Sequence, residues 1–152
     1  MPIIEIKVEG IKQLAAAFKK FPVVIPKNMA AAGLEVANMI LDTTGLRSYP
    51  PETAANRPPT PYYQRGLGTV HKFGVDATSE NYGKKWTIEA ESFVTKMKNT
   101  ASYAPDLGGE NQIWWASAYG WKKLFSTAKA MIGEAVKIYE AWVVKTIEEV
   151  GL

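Results

Sequence analysis

Histidine occurs once, at His71, and cysteine is absent. Disulfides and thiolate metal sites are therefore excluded, and any Ser–His site would have to use that single imidazole. His71 stands beside Lys72 in a segment, Val70–Ala77, that is expected to be extended, and the chain has no G-x-S-x-G turn to expose a serine. Gly66-Leu67-Gly68 has the opening of a dinucleotide loop, but His71 occupies the third glycine position and a proline-rich stretch replaces the preceding strand. The nearest carboxylate pairs, Glu89/Glu91 and Glu148/Glu149, have the spacing of solvated faces rather than of a divalent-cation site. These residues predict a protein that is not an enzyme and takes no cofactor or metal.

Binding chemistry is better represented. The stretch Thr44–Thr69 holds five of the nine prolines (Pro50, Pro51, Pro58, Pro59 and Pro61) and all three arginines, Arg47, Arg57 and Arg65. Connections within domains run to about 4–6 residues, so an aperiodic segment this long is either a disordered linker or an arm with a task. Disordered linkers are poor in aromatics, whereas Tyr49, Tyr62 and Tyr63 are interleaved here with the arginines. Tyr and Arg dominate buried contacts between proteins, and paired prolines lower the entropy lost on docking. The segment is read as an extended arm whose Arg47, Tyr49, Arg57, Tyr62, Tyr63 and Arg65 lie on another molecule. A second aromatic group, Trp114, Trp115, Tyr119 and Trp121, suits either a core or an interface anchor.

The net charge of +3 is modest. Between Arg47 and Lys72 only Glu52 opposes the positive charges, and Lys84, Lys85, Lys96 and Lys98 continue the basic run, interrupted by Asp76, Glu80, Glu89 and Glu91. Two readings stay open: a solvated surface with arginines pairing to a partner's carboxylates, or weak, sequence-independent attraction to nucleic acid. With 152 residues, 47% of them hydrophobic, the chain fits a single domain, 1–152, carrying the arm 44–69. The N-terminus MPIIEIKVEG lacks the basic start and apolar run of a signal peptide, and no apolar stretch approaches the roughly 20 residues that cross a bilayer. A soluble protein without membrane contact is expected.

The elements that must carry these groups follow from periodicity. Ile4, Ile6 and Val8 alternate with charged residues as a strand ended by Gly10. Ile11, Leu14, Ala15 and Phe18 predict a short helix closed by Pro22, and Pro26 suits the first turn of a new helix over Lys27–Thr43. That Ala-rich helix is apolar on two faces, which predicts a sheet on one and a neighbouring subunit on the other, with Gly45 as its stop. Ser79–Gly83 is expected to turn the chain. Trp86, Ile88 and Ala90 alternate as a strand, and Phe93–Tyr103 is its antiparallel partner across a turn at Glu91-Ser92. Pro105–Asn111 is expected to be a loop. A helix near Ile113 breaks at Gly120, and another runs from about Leu124 to Val150. The sum is an α+β domain: a small antiparallel sheet packed against an Ala-rich helix and a long C-terminal helix.

In their order, these motifs resemble the neck and tail-completion proteins of tailed bacteriophages, the gene-product-ten-like family of lambdoid phages related to the lambda minor tail protein Z. The resemblance is carried by Val8-Glu9-Gly10-Ile11-Lys12-Gln13-Leu14, by Asn99-Thr100-Ala101-Ser102-Tyr103-Ala104, and by Gly120-Trp121 before the last helix. The proline-rich run and Tyr82-Gly83-Lys84-Lys85-Trp86 also look like one branch of the family. The Arg-rich first helix common in that family is absent. The resemblance implies a virion protein, assembled in the host cytoplasm, that forms a homo-oligomeric ring, usually a hexamer, at the head–tail junction. Its neighbours there would be connector and tail-tube proteins, and genomic DNA would pass through the channel without being read. Trp114, Trp115 and Trp121 would be candidates for the ring interface, and Lys72, Lys84, Lys85, Lys96 and Lys98 for the channel wall. A tail terminator capping the tube is the nearest alternative, and a small basic nucleic-acid-binding protein is the alternative from another class.

Overall fold

The computed structural model describes residues 11–48, 79–118 and 120–152. The expected first strand, most of the arm and the Val70–Ala77 segment lie outside these residues. Helix α1 spans Ile11–Thr43, a 3-10 turn covers Ser79–Lys84, and the hairpin β1 (Trp86–Glu91) and β2 (Val94–Asn99) follows. Four helices complete the order: α2 (Ala104–Gly108), α3 (Trp114–Ala118), α4 (Leu124–Ala130) and α5 (Ile132–Val150). The α+β class holds, with one two-stranded antiparallel sheet packed against the long N-terminal and C-terminal helices.

Helix α1 corrects the sequence reading. Pro22 was expected to close one helix and Pro26 to open another, yet both lie inside a single helix. Each proline removes one backbone donor, and their four-residue spacing stacks both defects on one side. C-terminal to them, packing supplies what the backbone lacks: Met29, Ala32, Ala37, Ile40 and Leu41 are buried. The two apolar faces are real, but the second is covered from within the chain. The hairpin packs on one side of α1 and α5 on the other. Gly33 lies between them, and a Cβ there would collide with Thr95 Oγ1 and approach the Tyr139 hydroxyl. Gly45 does stop the helix, with φ +74° and its N–H donating to the Asp42 carbonyl at 3.2 Å.

Helices α1 and α5 run antiparallel. Asn28 Nδ2 donates to Thr146 Oγ1 and Glu149 Oε2, each at 3.0 Å, and Trp142 Nε1 donates to Glu35 Oε2 at 2.8 Å. The hairpin pairs Trp86 with Asn99 and Glu91 with Val94, so the two-residue loop is Ser92-Phe93, one residue beyond the expected turn. Ser92 takes φ +45° there. Trp86, Ile88, Ala90, Thr95 and Met97 face α1, and Thr87, Glu89, Lys96 and Lys98 face outward.

Two further corrections follow from local chemistry. Residues 105–111 are not all loop, because Pro105 sits in the first turn of α2, where a missing N–H costs nothing, and Asp106 favours that helix end. The predicted Leu124–Val150 helix is divided at Met131, which ends α4 and begins α5 with φ −95° and ψ 6°. Among the described residues the core has two clusters. One holds Tyr82, Leu107, Ala116 and Trp121, the other Ile40, Leu41 and Leu46, and Trp86 packs against both.

Candidate interaction surface

Tyr82 is the centre of the first cluster. Its ring meets Trp86 edge-on at 5.4 Å and Trp121 edge-on at 5.1 Å. Burial pushes its hydroxyl pKa up to about 12. Asn99 Nδ2 donates to the Tyr82 carbonyl at 2.7 Å, while Asn99 Oδ1 accepts from the Ala101 N–H at 3.0 Å. Tyr103 and Ala104 pack against the same cluster, and Gly120, with φ +84°, turns the chain so that Trp121 enters it. The short motifs Tyr82–Trp86, Asn99–Ala104 and Gly120-Trp121 thus converge on one aromatic hub. Gln112 Nε2 closes the far side by donating to the carbonyls of Leu107 and Trp121.

The hub holds the root of the arm. Leu46 is buried, and its carbonyl accepts from Trp86 Nε1 at 3.0 Å. Lys122 Nζ donates to the Thr44 carbonyl at 2.8 Å. Gly83 lies so close to Arg47 that a Cβ would strike the Arg47 carbonyl oxygen and carbon. The described stretches on either side of residues 49–78 therefore meet through Arg47 and Gly83. A cleft of about 390 Å³ opens at this root, lined by Asp42, Thr44, Leu46, Tyr82, Trp121 and Lys122. Its carboxylate is engaged, since Asp42 Oδ1 pairs with Arg47 Nη1 at 2.7 Å.

Arg47 is the one predicted arm residue within the described part. It folds back onto the end of α1, donating also to Asn38 Oδ1 at 2.7 Å. Tyr49, Arg57, Tyr62, Tyr63, Arg65 and Lys72 lie outside the described residues, as does His71. The tryptophans divide, and the Trp115 side chain lies outside what is described. Trp121, considered for an interface, belongs to the chain's own core at 6% exposure, because the turn at Gly120 points it inward. Trp114 is 82% exposed and remains available to a partner.

The lysines proposed for a channel lie near or on the hairpin. Lys84, Lys96 and Lys98 are exposed and Lys85 is half-buried. Their charge is tempered by Glu89, opposite Lys96, which accepts from Lys98 Nζ at 3.0 Å. That hydrogen bond, with the charges of Lys98 and Lys96, holds the Glu89 carboxyl below its ordinary pKa. Sequence reasoning did not foresee the apolar side chains left exposed on α1 and α5, among them Leu14, Phe18, Val23, Ile132, Val136 and Val144. Leu14 and Phe18 share one face by helical spacing, and only the packing shows that this face is left over.

Among the described residues no helix is long and apolar enough to cross a membrane, and no group of His, Asp or Glu side chains is placed to hold a metal ion. No protein-family model, no curated protein and no solved structure matches this chain.

Proposed function

We propose that this protein is a structural, non-catalytic component of a tailed-bacteriophage virion that builds a ring at the head–tail junction. The observation that carries the reading is the clamped root. The stretches on either side of residues 49–78, a 30-residue segment rich in proline, tyrosine and arginine, meet through Arg47 and Gly83 beside the aromatic hub. On this reading the segment serves to reach a neighbour, and its replacement leaves the core intact. The convergence of the family-like motifs on that same hub supports the reading further. In the ring, exposed Trp114 contributes to contacts between proteins, and Lys84, Lys85, Lys96 and Lys98 face the passage of DNA, making no base-specific contact.

The test replaces residues 49–78 with a short Gly-Ser bridge. Because the ends are adjacent, the variant should fold, and shortening the loop should raise its stability by roughly 1 kcal/mol. Joining of heads to tails, counted by electron microscopy after complementation, should be lost. Tyr62→Ala and Arg57→Ala should weaken it by about 2 kcal/mol each. A folded bridge variant that still yields normal virions would falsify the proposal.

A further inference from the structure

Among the described residues the hairpin is a sheet of two strands, and both of its edges are open. The Thr100 N–H donates to the Lys85 carbonyl at 2.9 Å, which makes Lys85 and Thr100 a hydrogen-bonded pair. Every second pair along an antiparallel ladder is of this kind, so Thr87, Glu89, Lys96 and Lys98 turn their backbone groups into the hairpin. The N–H and C=O groups of Ile88 and Ala90 point outward from β1, and those of Thr95 and Met97 outward from β2. Such an edge is a template for a further strand.

The two edges have different surroundings. Thr95 Oγ1 and the Tyr139 hydroxyl both lie against Gly33, so β2 is the strand on the α5 side of α1. The face of α5 that carries Tyr139 continues at helical spacing through Ile132, Val136 and Val143, with Ile132 at 56% and Val136 at 48% exposure. A strand added to β2, about 4.8 Å beyond it, covers this flank. The chain contains a strand that fits: Ile4, Ile6 and Val8 alternate with Glu5, Lys7 and Glu9. With its apolar side on the α5 flank, its two acids and one lysine join the face of β2 that carries Lys96 and Lys98. Beside β1 the same two acids would meet Glu89 and Glu91.

Reach decides which copy supplies it. Thr95 is level with Gly33, about 33 Å along α1 from Ile11 at 1.5 Å per residue. Fully extended chain covers at most about 25 Å from Ile11 back to Ile4. The segment therefore stops short of Thr95 in its own copy. We propose that residues 4–8 of one copy add as a third strand to the β2 edge of a second copy, over the exposed flank of α5. Each copy gives a strand at one place and receives one at another, a heterologous contact that propagates and closes into a ring when the rotation allows it. The proposal deepens the ring reading and rests on it for its setting.

Amide exchange of the full chain, followed across a concentration series with sedimentation in parallel, tests the contact. Exchange at Thr95 and Met97 should slow at least tenfold as copies associate, while Ile88 and Ala90 should not respond. Ile6→Asp should fold, stay monomeric and lose that protection, because it sets a carboxylate against Val136. Lys7→Asp, on the charged side, should keep it. Rings of fixed mass without protection at Thr95 and Met97 overturn this contact and leave the ring reading standing. Concentration-dependent protection in open oligomers with no closed particle supports the contact and removes the ring. Protection already complete in the monomer means that the chain covers its own edge, and overturns the proposal. An Ile6→Asp variant that unfolds, or no protection at any concentration, overturns it as well.

Discussion

Asn28 and Thr146 form a buried polar pair between helices α1 and α5, at 6% and 0% exposure. The Asn28 amide donates to Thr146 Oγ1, and Thr146 donates onward to the Trp142 carbonyl at 2.7 Å. Removing one partner leaves the other desolvated and unsatisfied, which costs more than the bond contributes. Thr146→Val should therefore destabilise the fold by about 1–3 kcal/mol, and Asn28→Leu by a similar amount. The double variant Asn28→Leu/Thr146→Val should cost less than the sum. Chemical denaturation of the four proteins checks the cycle, and strict additivity would show that the pair is not coupled. Tyr82 gives a pH signature of known sign. Its pKa rises from an ordinary value near 10 to about 12 in the folded state, so the fold favours the protonated phenol. That contribution is complete below pH 10 and is lost as pH rises towards 12, on the order of 2 kcal/mol. The fall in stability over this window should be shallower in Tyr82→Phe, and parallel curves for the two proteins would contradict the assignment.

At the scale of elements, Pro22 is exposed within α1 and leaves the Phe18 carbonyl without its helical donor. Pro22→Ala restores that N–H, and should raise stability by about 1–3 kcal/mol and slow amide exchange around residues 22–26. A loss of stability would mean that the fold depends on the proline's distortion. The same prolines explain where sequence reasoning failed. Local propensity ends a helix at Pro22, and no local rule says that buried neighbours beyond Met29 will hold the next turns in line. The hairpin was legible because Trp86, Ile88 and Ala90 alternate against Thr87, Glu89 and Glu91. The stop at Gly45 was legible because a positive φ is what glycine tolerates. Helix α2 was missed because a five-residue helix has no periodicity to read. Pro105 and Asp106, both suited to a first turn, were its only signals.

For the whole molecule, what the sequence could not reveal is which of several apolar faces remains after folding. Composition supplied enough apolar residues for the two faces of α1, and the expectation assigned one of them to a neighbouring subunit. Helix α5 covers that face instead, between Asn28 and Glu35, and exposed apolar side chains lie elsewhere, among them Leu14 and Phe18 on α1 and Val136 and Val144 on α5. The aromatic hub shows the converse. Its motifs were visible as isolated fragments, but their convergence on Tyr82 depends on contacts between distant parts of the chain, Trp86 to Leu46 and Lys122 to Thr44. Pro22 and Pro26 fall just before the stretch of α1 where burial begins, at Asn28 and Met29. Two missing backbone donors make this the place where bending the helix costs least. A small change of angle there would swing the first turns of α1 as one lever while the packed part keeps its place.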